Sequence, residues 1–376
     1  MATTHPLMDD AAVVERILNH IDRRTTDVGE GVWREPVKNY TSAERLKAEV
    51  EVMRRSPTAF CPSAALPETG SYLAREAAGT PLVAVRNADG SVQVFRNSCR
   101  HRGMQLADGA GCEKAFVCRY HGWTYGLDGT LLHVPHEFGF PGLDKSLRGL
   151  VPVASTERDG FVFVTQDEPL VEPGEFPSPL SPRHKLFRTN EQEIPANWKI
   201  LAEGFLEGYH IRSTHRDTFY PVQFDNLNVV ESFGANNRIA FPYRRINKLR
   251  EIAPANRSAD GMLTYVYHLF PNVIVATFPT NVVNVILEPL AIDRTRMVTY
   301  TLTDRDRAKP EESANVKRGQ DFVDPGAAED RAVACAIQRG LAGGANEFFE
   351  FGRFESAIGH FHRTLDAALA AGEASR

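Results

Sequence analysis

Apolar residues first recur at helical spacing. Val13, Val14, Ile17, Leu18 and Ile21 fall on one face, which predicts a helix near the start of the chain. Thr41 followed by Glu44 reads as a capping box opening a second helix through about Arg55. Together these form a helical lead-in over residues 1–58. From residue 59 the period changes to two. In PLVAVRNADGSVQVFRN, Val83 and Val85 alternate with polar neighbours, the chain turns at Asp89-Gly90, and Val92 and Val94 alternate again. That pattern predicts a hairpin. Two more are predicted, in GWTYGLDGTLLHV with its turn at Asp128-Gly129 and in VPVASTERDGFVFVTQD with its turn at Asp159-Gly160. Residues 59–168 therefore read as an all-β domain.

The stretch PLVEPGEFPSPLSP, residues 169–182, has five prolines in fourteen positions. Such a segment is too stiff and too poor in backbone donors for a core element, so it reads as a linker. Residues 183–376 follow a mixed pattern. NWKILAEGFLEGYHIRSTH is apolar at near-helical spacing, HLFPNVIVATFPTNVVNVILEPL and TRMVTYTLT are β-like, and the helical pattern returns from about Pro310 through EDRAVACAIQRGL and FGRFESAIGHFHRTLDAAL. Helices around a sheet imply an α+β second domain. Phe205, Leu206, Phe219, Phe241 and Phe278 are candidates for lining an apolar cavity within it, and His360 and His362 in the last helix read as surface residues.

Composition agrees with two globular domains: 376 residues, 42% apolar and 24% charged. The net charge of −5, with both signs mixed along the chain, leaves no electrostatic footprint for nucleic acid or an anionic membrane. The N-terminus lacks a basic region followed by an apolar core, and no stretch approaches the roughly 20 apolar residues that span a bilayer. A cytoplasmic protein with small-molecule partners is expected. Cys61, Cys99, Cys112, Cys118 and Cys335 are sparse and odd in number, which argues for metal chemistry over a disulfide framework.

Two of those cysteines sit beside histidines in short loops, CRHRG and CRYHGW. Cys99 and His101 are one residue apart, Cys118 and His121 two, with sixteen residues between the pairs. A zinc cage is the alternative, but it usually takes two cysteines from one knuckle and two histidines from another. Here each loop supplies one of each. That mixture suits a two-iron cluster gripped from opposite sides. Gly103 and Gly122 allow the tight turns that aim backbone N–H groups at a cluster. Cys112, between the pairs, reads as a small half-buried hydrophobe, and Cys61 and Cys335 likewise.

A second constellation follows the linker. His210 and His215 are five residues apart, about 140° on an ideal helix, so the helix must distort or end between them for both to face one ion. Ser213 and Thr214, weak helix formers, occupy that gap. Two histidines and one carboxylate on one face form the non-haem Fe(II) arrangement. Asp324, Glu329, Asp330, Glu347, Glu350 and Glu355 are all candidates for the carboxylate, and spacing alone does not choose among them.

The pattern C-x-H-x16-C-x2-H resembles the Rieske [2Fe-2S] motif at every ligand position. Asn197, Trp198, Lys199, Glu207, Tyr209, His210 and His215 match, in order, the iron-binding stretch of Rieske non-haem iron oxygenases. The resemblance covers roughly residues 40–365. It implies an N-terminal Rieske domain with one [2Fe-2S] cluster on Cys99, His101, Cys118 and His121, and a C-terminal helix-grip (START-like) catalytic domain with one Fe2+ on His210 and His215. EDRAVACAIQRGL resembles the family's late helix, which implies Asp330 as third ligand, with Gln338 eight residues on and Glu329 as the rival. Glu207 is implied as the bridge from His210 to His121 of a neighbouring subunit. It is Glu where ring-hydroxylating dioxygenases usually carry Asp, and members similar to choline and carnitine monooxygenases carry Glu. Glu203 matches another acidic position of the family.

The implied activity is that of a terminal oxygenase using O2 to hydroxylate or demethylate a small aromatic or amine substrate. Aromatic-ring cis-dihydroxylation, as in aromatic hydrocarbon catabolism, and a pure electron carrier with a degenerate second domain remain alternatives. No G-x-G-x-x-G lies between strand and helix, so the electrons must come from a separate NAD(P)H-dependent reductase, directly or through a ferredoxin. The resemblance further implies a cyclic homotrimer and leaves the need for a beta subunit open.

Overall fold

The computed structural model describes residues 7–170, 177–305 and 309–374. The central part of the proline-rich linker, 171–176, lies outside them. The described residues form two compact units. One runs from Met53 through the β-rich segment and takes in Leu180–Lys185; the other joins the lead-in up to Val52 to the chain from Leu186 onward.

In the first unit each predicted hairpin is present. Thr80–Arg86 pairs antiparallel with Val92–Arg96, and Pro152–Arg158 with Phe161–Thr165, inside a seven-stranded sheet. Thr124–Tyr125 and Leu131–His133 belong to a separate three-stranded sheet with Phe116–Val117. Gly90, Gly129 and Gly160 at the turns all have positive φ. Val83, Val85, Phe95, Leu106, Phe116, Trp123, Tyr125 and Leu131 make one buried cluster that also encloses Cys99 and Cys118. The core thus ends at the two loops. Cys61 is fully buried, Cys335 is half-buried, and Cys112, expected half-buried, is exposed on the edge strand Gly109–Cys112.

The lead-in does not stand alone. Helix α1 (Asp10–Arg23) is capped by the Asp9 side chain accepting from Ala12 N–H at 2.8 Å. Its apolar face packs on Leu227, Val229, Ala240, Ile246 and Leu249 of the second unit, because an amphipathic stripe needs a partner surface. Strand Trp33–Pro36 pairs with Phe348–Phe351, tying the lead-in to the C-terminal segment. Helix α2 (Ala43–Arg54) starts one residue later than the capping box predicted. Ser42 Oγ accepts from Arg45 N–H at 3.1 Å, because Thr41 already closes the preceding turn Val37–Tyr40.

The second unit is a seven-stranded sheet. Six of its strands follow chain order as an antiparallel meander from Val229–Phe233 to Arg294–Thr303, and Lys185–Ile194 adds to the last edge. Four helices accompany it: α3 (Trp198–Glu203), α4 (Ile211–Thr214), α5 (Pro310–Leu341) and α6 (Ser356–Ala374). Pro325 lies inside helix α5, five residues before Asp330, and leaves the Asp321 carbonyl without its helical donor. A long helix gripping an antiparallel sheet is the α+β helix-grip architecture expected of this half. No helix among the described residues is long and apolar enough to cross a membrane.

Helix α3 is buried throughout and acts as the hub of this unit. Asn197 caps it, its side chain accepting from Lys199 N–H at 3.0 Å, while its own N–H donates to Gln338 Oε1 on α5 at 2.8 Å. Trp198 Nε1 and Lys199 Nζ both donate to Glu49 on α2, at 2.9 Å and 2.8 Å. Lys199 and Glu49 are each 0% exposed. Burial pushes the ammonium's pKa down against the pull of Glu49.

His362, expected at the surface, is 0% exposed. Its Nε2 lies 2.9 Å from Glu203, which also accepts from the Tyr40 hydroxyl at 2.6 Å, and its Nδ1 faces Glu35 at 3.4 Å. The helical pattern of α6 places it on the buried stripe with Ile358, Phe361 and Leu365, and two carboxylates make an imidazole tolerable there. His360 is half-buried.

Glu49 also holds Arg45 Nε at 3.1 Å, so removing Lys199 takes away one of its two cationic partners and leaves its buried charge only partly compensated. Lys199→Met is expected to destabilise the protein by about 1.5–3 kcal/mol in denaturant unfolding, and the double change with Glu49→Leu to recover part of that loss. A loss below about 1 kcal/mol for the single change would sink the hub reading.

Candidate metal centres

The two loops of the first unit have the same hydrogen-bond pattern. Cys99 N–H donates to Met104 carbonyl and Gly103 N–H to Cys99 carbonyl; Cys118 N–H donates to Trp123 carbonyl and Gly122 N–H to Cys118 carbonyl, all between 2.8 and 2.9 Å. Gly103 at φ +78° and Gly122 at φ +74° adopt the left-handed conformation that makes each loop close. Both thiols are buried, His101 is half-exposed and His121 exposed. The two imidazole rings lie 4.6 Å apart, centroid to centroid. His101 stacks on Trp123 at 5.0 Å and His121 on Tyr120 at 3.7 Å.

Three observations fit this quartet to an iron–sulfur cluster. His101 Nδ1 is buried and has no protein partner, as a nitrogen reserved for a metal would be. Burial, then His121 and Arg102, hold the His101 pKa below its usual value and favour the neutral imidazole that ligates. Tyr125 hydroxyl, unremarked in the sequence, accepts from Arg100 N–H at 2.9 Å and lies 3.3 Å from Cys99 Sγ, so its own proton is directed at the sulfur. Burial and that contact raise the phenol's pKa, which keeps the proton in place. Hydrogen bonds to ligand sulfur tune a cluster's potential.

In the second unit the sequence NWKILAEGFLEGYHIRSTH does not form one helix. Helix α3 stops at Gly204, and α4 is a single turn with His210 at its N-cap and His215 at its C-cap. The break solves the angular problem of a five-residue spacing. His210 Nε2 and His215 Nε2 are 3.1 Å apart, and Asp330 Oδ1 from α5 is 2.9 Å from the second and 3.5 Å from the first. Ligands at about 2.1 Å from one ion and about 90° apart lie about 3.0 Å from each other, so the three atoms have the spacing of one octahedral face. Among the described residues this is the one group of three His, Cys, Asp or Glu side chains with donor atoms so placed.

Each histidine is oriented from behind. His210 Nδ1 hydrogen-bonds Glu207 Oε1, and Glu207 Oε2 also accepts the backbone N–H groups of Tyr209 and His210. His215 Nδ1 lies 2.8 Å from Glu329 Oε2, itself fixed by the Thr218 hydroxyl at 2.7 Å. Glu329, the rival for the third ligand, thus occupies the opposite nitrogen of His215, and Asp330 alone of the two reaches the centre. Burial disfavours the His210 cation, but Glu207, Asp330 and Glu355 outweigh it and raise its pKa in the metal-free protein. Glu355 is itself pushed up to about 7, by burial first. Of the other acidic candidates, Asp324 pairs with Arg188 and Glu350 with Arg34.

A cavity of about 360 Å³ opens on these atoms. Phe205, Phe219, Phe241 and Phe278 line it as expected, whereas Leu206 is packed in the core at 1% exposure. Phe219 lies against His215 with ring centroids 4.6 Å apart. Gly326 makes room for it, since a Cβ there would lie 2.3 Å from the Phe219 ring. A further cavity of about 640 Å³ is lined by His210, Glu207 and Asp330 together with strand Phe348–Phe351.

Known proteins match both halves. Residues 56–143 match the Rieske [2Fe-2S] domain, and residues 182–371 match the ring hydroxylating alpha subunit catalytic domain. The chain is 24% identical to the chloroplastic choline monooxygenase of Beta vulgaris, over 80% of this chain and 69% of that one. It is 32% identical to the carnitine monooxygenase oxygenase subunit of Escherichia coli strain K12, over 51% of this chain and 55% of that one. In fold it is similar to a quaternary ammonium Rieske monooxygenase, with TM-score 0.75, 20% identity, and 98% and 99% of the two chains covered. It is also similar to naphthalene 1,2-dioxygenase from Rhodococcus sp., with TM-score 0.73, 18% identity, and 96% and 98% covered. With a [2Fe-2S] domain followed by a mononuclear-iron catalytic domain that matches over half its length, the chain belongs to the ring-hydroxylating alpha subunits, the terminal oxygenases of Rieske non-haem iron systems.

Proposed function

We propose that Cys99, His101, Cys118 and His121 hold the [2Fe-2S] cluster, that His210, His215 and Asp330 hold Fe2+, and that the substrate is a small methylated amine, hydroxylated or demethylated at a methyl group. The convergence of three donor atoms from α4 and α5 carries the reading of the iron site. Bound there, the cluster supplies electrons and the iron activates O2. The chain's own residues do the rest. Glu207 and Glu329 each hold the Nδ1 proton of a histidine, so that both Nε2 lone pairs face one point. Four phenylalanines with Val266, Val283 and Val285 keep water from the reacting end, and their ring faces suit an alkylammonium group.

The amine is supported by the choline and carnitine monooxygenases among the relatives. The same aromatic lining also suits an arene, so ring dihydroxylation, with a place in aromatic hydrocarbon catabolism, is the second reading. The electrons come from a separate NAD(P)H-dependent reductase, with or without a ferredoxin. In a cyclic trimer, Glu207 would also take His121 of the neighbouring copy. Outside the two cluster loops Cys61, Cys112 and Cys335 form no disulfide, which supports a reducing compartment such as the cytoplasm.

Iron analysis tests the ligands. The intact protein is expected to hold three irons per chain, and Asp330→Ala only the two of the cluster. Glu329→Gln should keep the third iron but weaken it about 10–100-fold against a chelator. Equal losses from the two changes would transfer the ligand role to Glu329 or share it. Glu207→Gln keeps an acceptor for His210 but removes the charge. It is expected to leave three irons and a reducible cluster while product formation falls about 10–100-fold, and undiminished turnover would remove Glu207 from the electron path.

A further inference from the structure

The ionisable side chains that line the 360 Å³ cavity are paired, with one exception. Arg188 and Asp324 form a two-pronged pair at 2.7 and 2.9 Å, Glu207 holds His210, and Asp330 lies with the two histidines. Arg331, the next residue of α5, is the exception. It is half-buried, and its guanidinium has neither an ion-pair nor a hydrogen-bond partner among the described residues. Like His210 and Asp330 it lines both the 360 Å³ and the 640 Å³ cavities, which places it at their common border beside the metal site.

A second polar group without a partner lines the same cavity from the sheet. Gln192 lies on strand Lys185–Ile194, where Glu191 and Glu193 turn to Arg296, and the alternation gives Gln192 to the cavity. Its side chain is half-buried, and its amide makes no hydrogen bond among the described residues. Every polar atom of the two groups is accessible. Strand and helix run alongside each other in the same direction, tied at Arg188–Asp324 and again at Asn197–Gln338. Arg331 is midway between the two ties along α5, and Gln192 is close to midway along the other segment. The two free groups therefore lie at about the same level.

A half-buried guanidinium without a counter-charge is a strong donor to any anion that enters the cavity, and it repels a cation there. We propose that Arg331 and Gln192 are specificity residues that anchor a carboxylate of the substrate, which is then a compact zwitterion. Its methylated ammonium lies among the phenylalanines and its carboxylate on Arg331. The inference rests on the methylated-amine reading for the group at the iron, and on the two free donors for the carboxylate. The guanidinium donates to both carboxylate oxygens, and Gln192 Nε2 supplies a further donor. Arg188 is not available for this, being tied to Asp324. Arg331 follows Asp330 by one residue, about 1.5 Å along the helix axis, so the carboxylate binds near the metal and the linker to the reacting methyl group is short. An amine without such a head would set its charge against that of Arg331.

The test uses the iron-loaded holoenzyme and three probe series of graded chain length: ω-(dimethylamino)alkanoates, the matching alkanamides, and dimethylalkylamines without a head. Benzoate and benzamide form a pair that carries no amine. Calorimetric titration reads binding, and a single turnover of chemically reduced enzyme with O2 reads product. The short alkanoates are expected to bind roughly 10–100-fold tighter than their amides or the alkylamines. Arg331→Gln should remove that preference with three irons retained, Arg331→Lys should keep part of it, and Arg331→Met serves if the glutamine variant does not fold. Gln192→Leu should weaken the alkanoates about 2–10-fold. Carboxylates that bind no tighter than their amides in both the amine and the arene pairs overturn the inference, as does a preference that survives Arg331→Gln and Arg331→Met. Loss of the third iron in both of those variants also overturns it, since Arg331 would then act by placing Asp330. Unchanged alkanoate affinity in Gln192→Leu removes Gln192 from the anchor. Benzoate binding abolished by Arg331→Gln, with no product from any amine, upholds Arg331 and overturns the methylated-amine reading.

Discussion

Three lone-pair donors between 2.9 and 3.5 Å from one another repel unless a cation lies among them, and the second unit is organised to hold them there. The two histidines bracket a single helical turn, while Asp330 arrives from a helix more than a hundred residues later. The link between them runs through α3. Asn197 is hydrogen-bonded to Gln338 on α5, and Trp198 and Lys199 are fastened to Glu49 on α2. A buried ion pair of this kind adds little net stability, but it fixes position, because any shift of α3 would strand a charge in the core. The Asn-Trp-Lys run that precedes the site therefore acts at a distance, as the clamp that sets the separation of the helices.

The carboxylates around the site divide their work by distance. Glu207 and Glu329 stand behind the histidines, Asp330 stands among the donor nitrogens, and Glu203 is one layer further out with Tyr40 and His362. Glu207 and Glu329 fix the rings of the two histidines, and Glu203 is itself fixed by Tyr40 and His362. In the first unit the equivalent support is the doubled loop. Two turns with the same hydrogen bonds present buried thiols on the core side and imidazoles toward solvent, so the part that must be shielded and the part that must be reached lie at opposite sides of one site.

The Cys-His spacing, the Asp-Gly hairpins and the β-like runs of the second half were legible in the chain because each is a local pattern, set by residue type and turn chemistry within a short stretch. Even there neighbours intervened: Ser42 rather than Thr41 caps α2, since Thr41 was already engaged by the turn before it. The break between His210 and His215 was also legible, as a geometric necessity of five-residue spacing.

What needed the fold was every choice among chemically equal residues. Glu329 and Asp330 are adjacent carboxylates, and only the rotation of α5 against α4 sends one to the far nitrogen of His215 and the other to the centre. His362 reads like any helix histidine until the lead-in closes over it with Glu35 and Tyr40. The sequence by itself determined which chemistry the chain can carry, because ligand type and local spacing are written residue by residue. Only the tertiary structure decided which side chains perform it, because a helix face acquires its partners from segments that the chain brings back from far away.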